Sequence, residues 1–203
     1  MAGWFFTFEG IDGSGKTTAS RSLARTLEQQ HEVVWTKEPT DTWLGDAVDR
    51  GVAEQCAAAT SAFLFMADRV EHTMRIREWL DDGGVVLCDR YMDSTIAYQA
   101  VHLDEIETPL AWLRGLHRPF CIMPDLTFLF VLDPDVALRR IDDRALSPFE
   151  HNAFLQKVQD NYRRLAREEN RFVVLDATLP SETLVDICKE KIEETMAASS
   201  RRF

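Results

Sequence analysis

The sequence predicts an α/β protein with a five-stranded parallel sheet flanked by helices on both faces and a short arginine-bearing lid. Short apolar runs recur at Trp4–Phe8, Glu32–Thr36, Val85–Cys88, Thr127–Leu132 and Arg171–Leu175, with helical stretches between them. Strands that alternate with helices imply a parallel sheet covered on both sides. The ends of these runs carry the second observation. In such sheets ligands sit beyond the carboxyl ends of the strands, and the residues there are Gly10–Thr18, Lys37-Glu38-Pro39, Asp89-Arg90, Asp133 and Asp176. All five junctions are polar or charged. A length of 203 residues suits one domain, 1–203, and no internal repeat or linker divides it. Pro119 and Pro124 mark a loop before the fourth run rather than a boundary.

The first run, with Trp4, Phe5, Phe6 and Phe8, leads directly into Gly10-Ile11-Asp12-Gly13-Ser14-Gly15-Lys16-Thr17. This is G-x-x-x-x-G-K-[ST] with a strand before it and a helix after it, the context that separates a P-loop from a chance glycine-rich turn. The glycines let successive backbone N–H groups face phosphate oxygens, helped by the positive end of the following helix. Lys16 supplies a point charge for the β- and γ-phosphates, and the Thr17 hydroxyl can ligate Mg²⁺. The sheet is thereby of the P-loop NTPase type. Gly10 through Thr18 form the expected ATP site, with Mg²⁺ as cofactor.

The stretch Ala58–Leu80 reads as one helix. Phe63, Ala67, Val70 and Met74 follow i, i+4, i+7, i+11 spacing and are expected to form its core stripe. Phe65, Arg69 and His72 then fall on the opposite side. An aromatic one turn from a guanidinium suits a nucleobase, as a face to stack on and a donor for a base oxygen. A second packing surface, or a ring left in solvent, is the other reading of the same pair.

Val85-Val86-Leu87-Cys88-Asp89-Arg90-Tyr91 places a carboxylate at a strand end near the expected metal. It also places a planar cation where two phosphates can meet, which is what phosphoryl transfer requires. A structural ion pair between Asp89 and Arg90 is compatible with both roles. Further on, Arg140 and Arg144 are four residues apart and would share a helix face. Ser147-Pro148 breaks the charged run, so the region about 142–151 is expected to be a flap that brings cations over ATP. A solvated charged face is the alternative, and Arg163, Arg164 and Arg167 are read that way. The next helix, about His151 to Glu169, has a core stripe of Phe154, Val158, Tyr162 and Leu165.

The formal net charge of −11, from 23 Lys+Arg against 34 Asp+Glu, argues against a nucleic-acid or anionic-membrane surface. No apolar run approaches membrane-spanning length. The glycine loop arrives too early for a signal peptide. Cys56, Cys88, Cys121 and Cys188 are scattered without a C-x-x-C pair, as expected for free thiols in a reducing cytoplasm.

Together the motifs resemble the thymidylate kinases of the nucleoside-monophosphate kinase group, over nearly the whole chain. The resemblance is carried by FEGIDGSGKTT, TKEPT, LFMADRVEH, DRYMDSTIAYQ, PDLTFLFVLD, ALRRIDDR and FVVLDA. It implies transfer of the ATP γ-phosphate to dTMP, giving dTDP and ADP. It also implies a homodimer, for which the helix bearing Phe63 to Met74 could serve as the interface. By the same resemblance Asp12 contacts the sugar 3′-hydroxyl and helps orient an arginine, Phe65 stacks on thymine, and Arg69 donates to a thymine carbonyl. Arg90 bridges donor and acceptor phosphates, with Asp89 near the metal. Ser94, Thr95, Tyr98 and Gln99 line the thymidine pocket, Tyr98 crowds the 2′ position, and Pro39 shapes the pocket floor. The adenine site would involve the flap and the loop around Ala177 and Thr178.

Two departures from the family pattern matter. Some members carry an arginine where this chain has Gly13, so the catalytic cation is expected from the flap, on Arg144 with Arg140 beside it. The loop that often reads R-E-P-G is here Lys37-Glu38-Pro39-Thr40, and Lys37 could meet the acceptor phosphate without the bidentate geometry of arginine. The rival readings are a related P-loop kinase for another nucleoside monophosphate or a deoxynucleoside, and a nucleotide-dependent switch that transfers nothing.

Overall fold

In the computed structural model, which describes residues 3–141 and 148–200, strands and helices alternate as the sequence predicts. The strands are β1 (Trp4–Gly10), β2 (Val33–Lys37), β3 (Val85–Asp89), β4 (Leu126–Val131) and β5 (Phe172–Asp176). They form one parallel sheet in the order β2-β3-β1-β4-β5. Helices α1 (Lys16–Leu27), α2 (Trp43–Ala53), α3 (Ala58–Asp81) and α4 (Met92–Gln99) follow β1, β2 and β3, and α5 (Pro109–His117) precedes β4. Next come α6 (Pro134–Arg140), α7 (Pro148–Glu168) and α8 (Ser181–Ser200).

The apolar run of β1 is long because the strand is central and covered on both sides. Phe6 and Phe8 pack with Leu23 and Leu27 of α1 and with Cys188 and Ile192 of α8, while Phe5 packs with Ile76 of α3. Strand alternation puts Glu9 on the face of Phe5, so a carboxylate enters the interior toward α4 and α7. β1 extends two residues past the expected Phe8, because Glu9 and Gly10 remain in register with Leu129 and Phe130. Phe8 pairs with Asp89 and Lys37 with the same residue, so the ends of β1, β2 and β3 are level. The loops after them therefore emerge side by side. At β4, Asp133 caps α6 by accepting from the Asp135 N–H at 2.8 Å, which gives that polar junction a structural role.

Two expectations need correction. The stripe Phe63, Ala67, Val70, Met74 is not the core face of α3. Phe63 is 53% and Met74 59% exposed, Ala67 is exposed and Val70 is half-buried. The buried face is Ser61, Ala62, Met66, Asp68, Arg69, His72, Thr73 and Ile76. Its charged members are paired with groups from distant elements, so a face that mixes these charges with Ala62, Met66 and Ile76 goes in, and Phe63 and Met74 stay out. The second correction concerns the lid. Pro148 already begins α7, three residues before the helix start expected at about His151, at a position where its fixed φ and missing N–H cost nothing. Residues 148–151 are thus helical; the rest of the expected lid, 142–147 with Arg144, lies outside the described residues. α7 buries Leu155, Val158, Tyr162 and Leu165, while Phe154 is half-buried. Among the described residues, no helix is long and apolar enough to cross a membrane.

Candidate active site

The loop between β1 and α1 is shaped for an anion. Gly15 adopts φ 87° as the N-cap of α1, and no side chain caps that helix, so its first N–H groups face outward. Gly13 has φ 76°, and a Cβ there would stand 2.4 Å from the Ala137 carbonyl oxygen. No side chain fits, so an arginine at this place would require another backbone. Lys16 is buried, with Nζ 3.4 Å from the Ile11 carbonyl and 3.8 Å from Asp12 Oδ1. Burial first, and then the Arg90 charge, push its pKa down to about 8. Ser14 Oγ, Asp89 Oδ1 and Thr95 Oγ1 are buried side-chain atoms without a hydrogen-bond partner. Buried polar groups are almost always satisfied, so an orphan on the phosphate loop, one at the end of β3 and one lining the cavity are each open to a ligand.

The metal expectation can be tested on those orphans. The Thr17 hydroxyl donates to Asp89 Oδ2, which leaves Asp89 Oδ1 open beside it. Two hard oxygens at the end of the phosphate loop fit Mg²⁺, which takes few protein ligands and completes its shell with phosphate and water.

Arg90 sits where β3 ends, in the left-handed region with φ 66°, a conformation that non-glycine residues hold only when their surroundings dictate it. Its N–H donates to the Phe8 carbonyl at 2.9 Å. Its Nη2 donates to Asp12 Oδ1 at 2.5 Å and to the Tyr98 hydroxyl at 3.4 Å, and its Nη1 to Ser94 Oγ at 3.1 Å. The guanidinium also lies over the Tyr98 ring, 5.1 Å from the centroid. Tyr98 in turn donates to Asp12 Oδ2 at 3.0 Å. Burial opposes ionisation of Asp12, but Arg90 and Lys16 overcome it and bring its pKa down to about 2.

Beneath this cluster stands Glu9, which sequence reasoning missed. Its Oε1 accepts from the Tyr91 N–H (2.8 Å) and the Ser94 N–H (3.3 Å), closing the first turn of α4. Its Oε2 accepts from Ser94 Oγ (2.5 Å) and the Tyr162 hydroxyl (3.0 Å). Burial and the nearby Asp93 push its pKa up to about 7. The one sequence signal was a charge at an inward register position of a buried strand.

Beside the loop opens a cavity of about 820 Å³. Asp12, Pro39, Phe65, Arg69, Arg90, Ser94, Thr95, Tyr98 and Gln99 are among the residues that line it. All the expected acceptor-pocket residues except Lys37 are therefore brought together. Lys37 pairs with Asp41 at 2.8 Å and does not line the cavity. Arg69 is 1% exposed and held by Glu38, Tyr91 and His117. Arg140, expected in the flap, ends α6 and donates to the carbonyls of Ala177 (3.3 Å) and Gly13 (3.4 Å). It thereby ties the loop after β5 to the phosphate loop. Asp176 accepts from the Thr178 N–H at 3.0 Å, a local turn.

The thymidylate kinase family model matches residues 8–187, a span that contains both the phosphate loop and the cavity. The chain belongs to the thymidylate kinase family. It is 43% identical over 200 residues to a probable thymidylate kinase of Methanoculleus marisnigri, covering 97% of each chain. It is 43% identical over 180 residues to one of Methanococcoides burtonii, covering 87% of this chain and 89% of that one. Against one of Natronomonas pharaonis the identity is 38% over 195 residues, with 94% and 98% covered.

Proposed function

We propose that the protein transfers the γ-phosphoryl group of ATP to dTMP, giving dTDP and ADP. The observation that carries this reading is that the phosphate loop and the large cavity share Asp12, which holds the Arg90 guanidinium on the cavity lining. A cradle for a triphosphate and a pocket for a second, smaller ligand meet at one guanidinium. A switch protein has no need of the second pocket.

The acceptor oxygen is already anionic, so no strong general base is required. The chemical task is to bring two polyanions together without water. Lys16 neutralises the donor phosphates, and Arg90 bridges donor and acceptor. Asp12, ionised at any ordinary pH, holds Arg90 in place and meets the acceptor sugar. Phe65 offers its face to thymine, and Pro39, Thr95 and Gln99 close around the nucleoside. Tyr98, fixed by Asp12, crowds the 2′ position and so favours deoxyribose. Mg²⁺, held by Thr17 and Asp89, supplies charge neutralisation on the phosphates. The outward apolar face of α3, with Phe63 and Met74, is the face for a second copy of the chain. Four free cysteines suit a cytoplasmic enzyme.

A coupled assay with dTMP, dUMP, UMP, CMP and thymidine tests the reading: the highest kcat/KM is expected for dTMP. No preference for dTMP would sink it.

A further inference from the structure

The acceptor cavity ends on Arg69, and what surrounds this guanidinium comes from three separate places in the chain. Its Nε–H and one Nη2–H donate to Glu38 Oε2, at 2.8 and 2.5 Å. The other Nη2–H donates to the Tyr91 carbonyl at 3.1 Å. Nη1 donates to Nε2 of His117 at 2.7 Å. Arginine has five N–H groups, so among the described residues a single one is left without a partner, on the nitrogen that His117 holds. Both acceptor oxygens of Glu38 are engaged as well, because His72 Nδ1 donates to Oε1 at 2.9 Å.

His117 closes α5, is fully buried and does not line the cavity. Its two partners dictate one tautomer. The Leu113 carbonyl, 2.7 Å from Nδ1, can only accept, so Nδ1 carries the hydrogen. Arg69 can only donate, so Nε2 must be bare. Burial and the Arg69 charge bring the His117 pKa down to about 4, and the ring stays neutral at working pH.

We infer that His117 is a specificity-positioning residue, which holds Nη1 of Arg69 so that one N–H is all the guanidinium offers the acceptor base. A carbonyl at that edge of the base accepts this hydrogen. An exocyclic amino group there meets a donor, and the acceptors that surround the guanidinium, on Glu38 and His117, already take hydrogens from Arg69 and His72. The network selects a pyrimidine with a carbonyl over one with an amino group. This inference rests on the reading that Arg69 contacts the base.

Steady-state kinetics of the intact enzyme, with dTMP and dCMP as acceptors, test it on His117→Ala, His117→Gln, Arg69→Gln and the double variant His117→Ala/Arg69→Gln. Losing the hold on a charged donor is expected to raise the dTMP KM of His117→Ala roughly tenfold or more, with kcat changed less than about threefold. The preference for dTMP over dCMP should fall by a similar factor. His117→Gln, which keeps an acceptor oxygen, should recover most of both effects and serves if the alanine variant does not fold. Adding His117→Ala to Arg69→Gln should change little. If Arg69→Gln raises the KM while folded His117 variants keep the wild-type KM and preference, the inference is overturned and the proposed function stands. A uniform loss of kcat, with KM and preference intact, makes His117 merely structural and overturns it too. An unchanged KM in Arg69→Gln removes the base contact and the inference with it.

Discussion

Lys16 and Glu9 are ionisable groups whose surroundings work against their charged forms, one at the donor site and one beneath Arg90. The Lys16 ammonium is buried, with its pKa down to about 8. Anion binding needs it charged, so kcat/KM for ATP, which reports the free enzyme, should be flat up to about pH 7 and about halved by pH 8. It should then fall roughly fivefold between pH 8 and pH 9. A pH profile whose alkaline limb begins only above pH 10 would contradict this. Because the folded pKa lies below the unfolded value, Lys16 makes the stability rise, not fall, between about pH 8 and pH 10.5. Glu9 behaves in the opposite sense. Its folded pKa is about 7 against 4.5, so between these values the native state keeps a proton that the unfolded chain has lost. Stability falls as pH rises through that window. Glu9→Gln should therefore gain in Tm relative to the wild type as pH goes from 5 to 8. Its kcat should drop all the same, since the hold on Ser94 and Arg90 weakens. A Tm difference that does not change with pH would show that Glu9 does not titrate there.

At the scale of elements, α3 is the informative case. Its apolar residues lie at helical spacing, and that spacing suggests a core stripe; the spacing is real but faces outward. What turns the helix is the pairing of Asp68, Arg69 and His72. Asp68 accepts from the Thr40 N–H at 2.9 Å, Arg69 from α3 reaches Glu38, and His72 joins Glu38 to Thr36. Such pairs stabilise only as pairs: removing one member leaves an uncompensated buried charge. Glu38→Ala should lower the unfolding free energy by about 3–5 kcal/mol, measured by urea titration. The outward face makes the converse prediction. Met74→Glu should leave the urea midpoint of isolated protomers nearly unchanged. It should convert a dimer to a monomer in sedimentation velocity, and a wild-type protein that sediments as a monomer would refute the proposed interface.

For the whole molecule, parallel pairing of β1 with β3 does most to assemble the catalyst. Register places Phe8 opposite Asp89, so the loop after β1 and the residues after β3 are neighbours although about eighty positions separate them in sequence. Thr17 meets Asp89, and Asp12 meets Arg90, as a consequence of strand order rather than of local sequence. Asp89→Asn should raise the half-saturating Mg²⁺ concentration by about tenfold or more while the fold is kept, since a hard cation loses a charged ligand. A Mg²⁺ titration that matches the wild type would remove Asp89 from the metal site.

The sequence alone determined the parts whose cause is local. Runs of apolar residues between helical stretches are enough to make a parallel sheet, and the spacing of Gly10, Gly15, Lys16 and Thr17 is enough to make a phosphate loop. Phe65, Arg69, Ser94, Thr95, Tyr98 and Gln99 could be named as one pocket from their motifs, and the cavity does contain them all. Only the tertiary structure decided where the charged side chains find their partners. Glu9 reaches Tyr162 across 153 positions, Arg69 reaches His117 across 48, and Arg140 turns to Ala177 across 37. Lys37, which could meet the acceptor phosphate, pairs with Asp41 and stays off the cavity lining. A pattern of spacing records which residues share a face but not what that face meets. For a charge the partner outweighs the pattern, because an unpaired charge in the interior costs more than an exposed apolar ring.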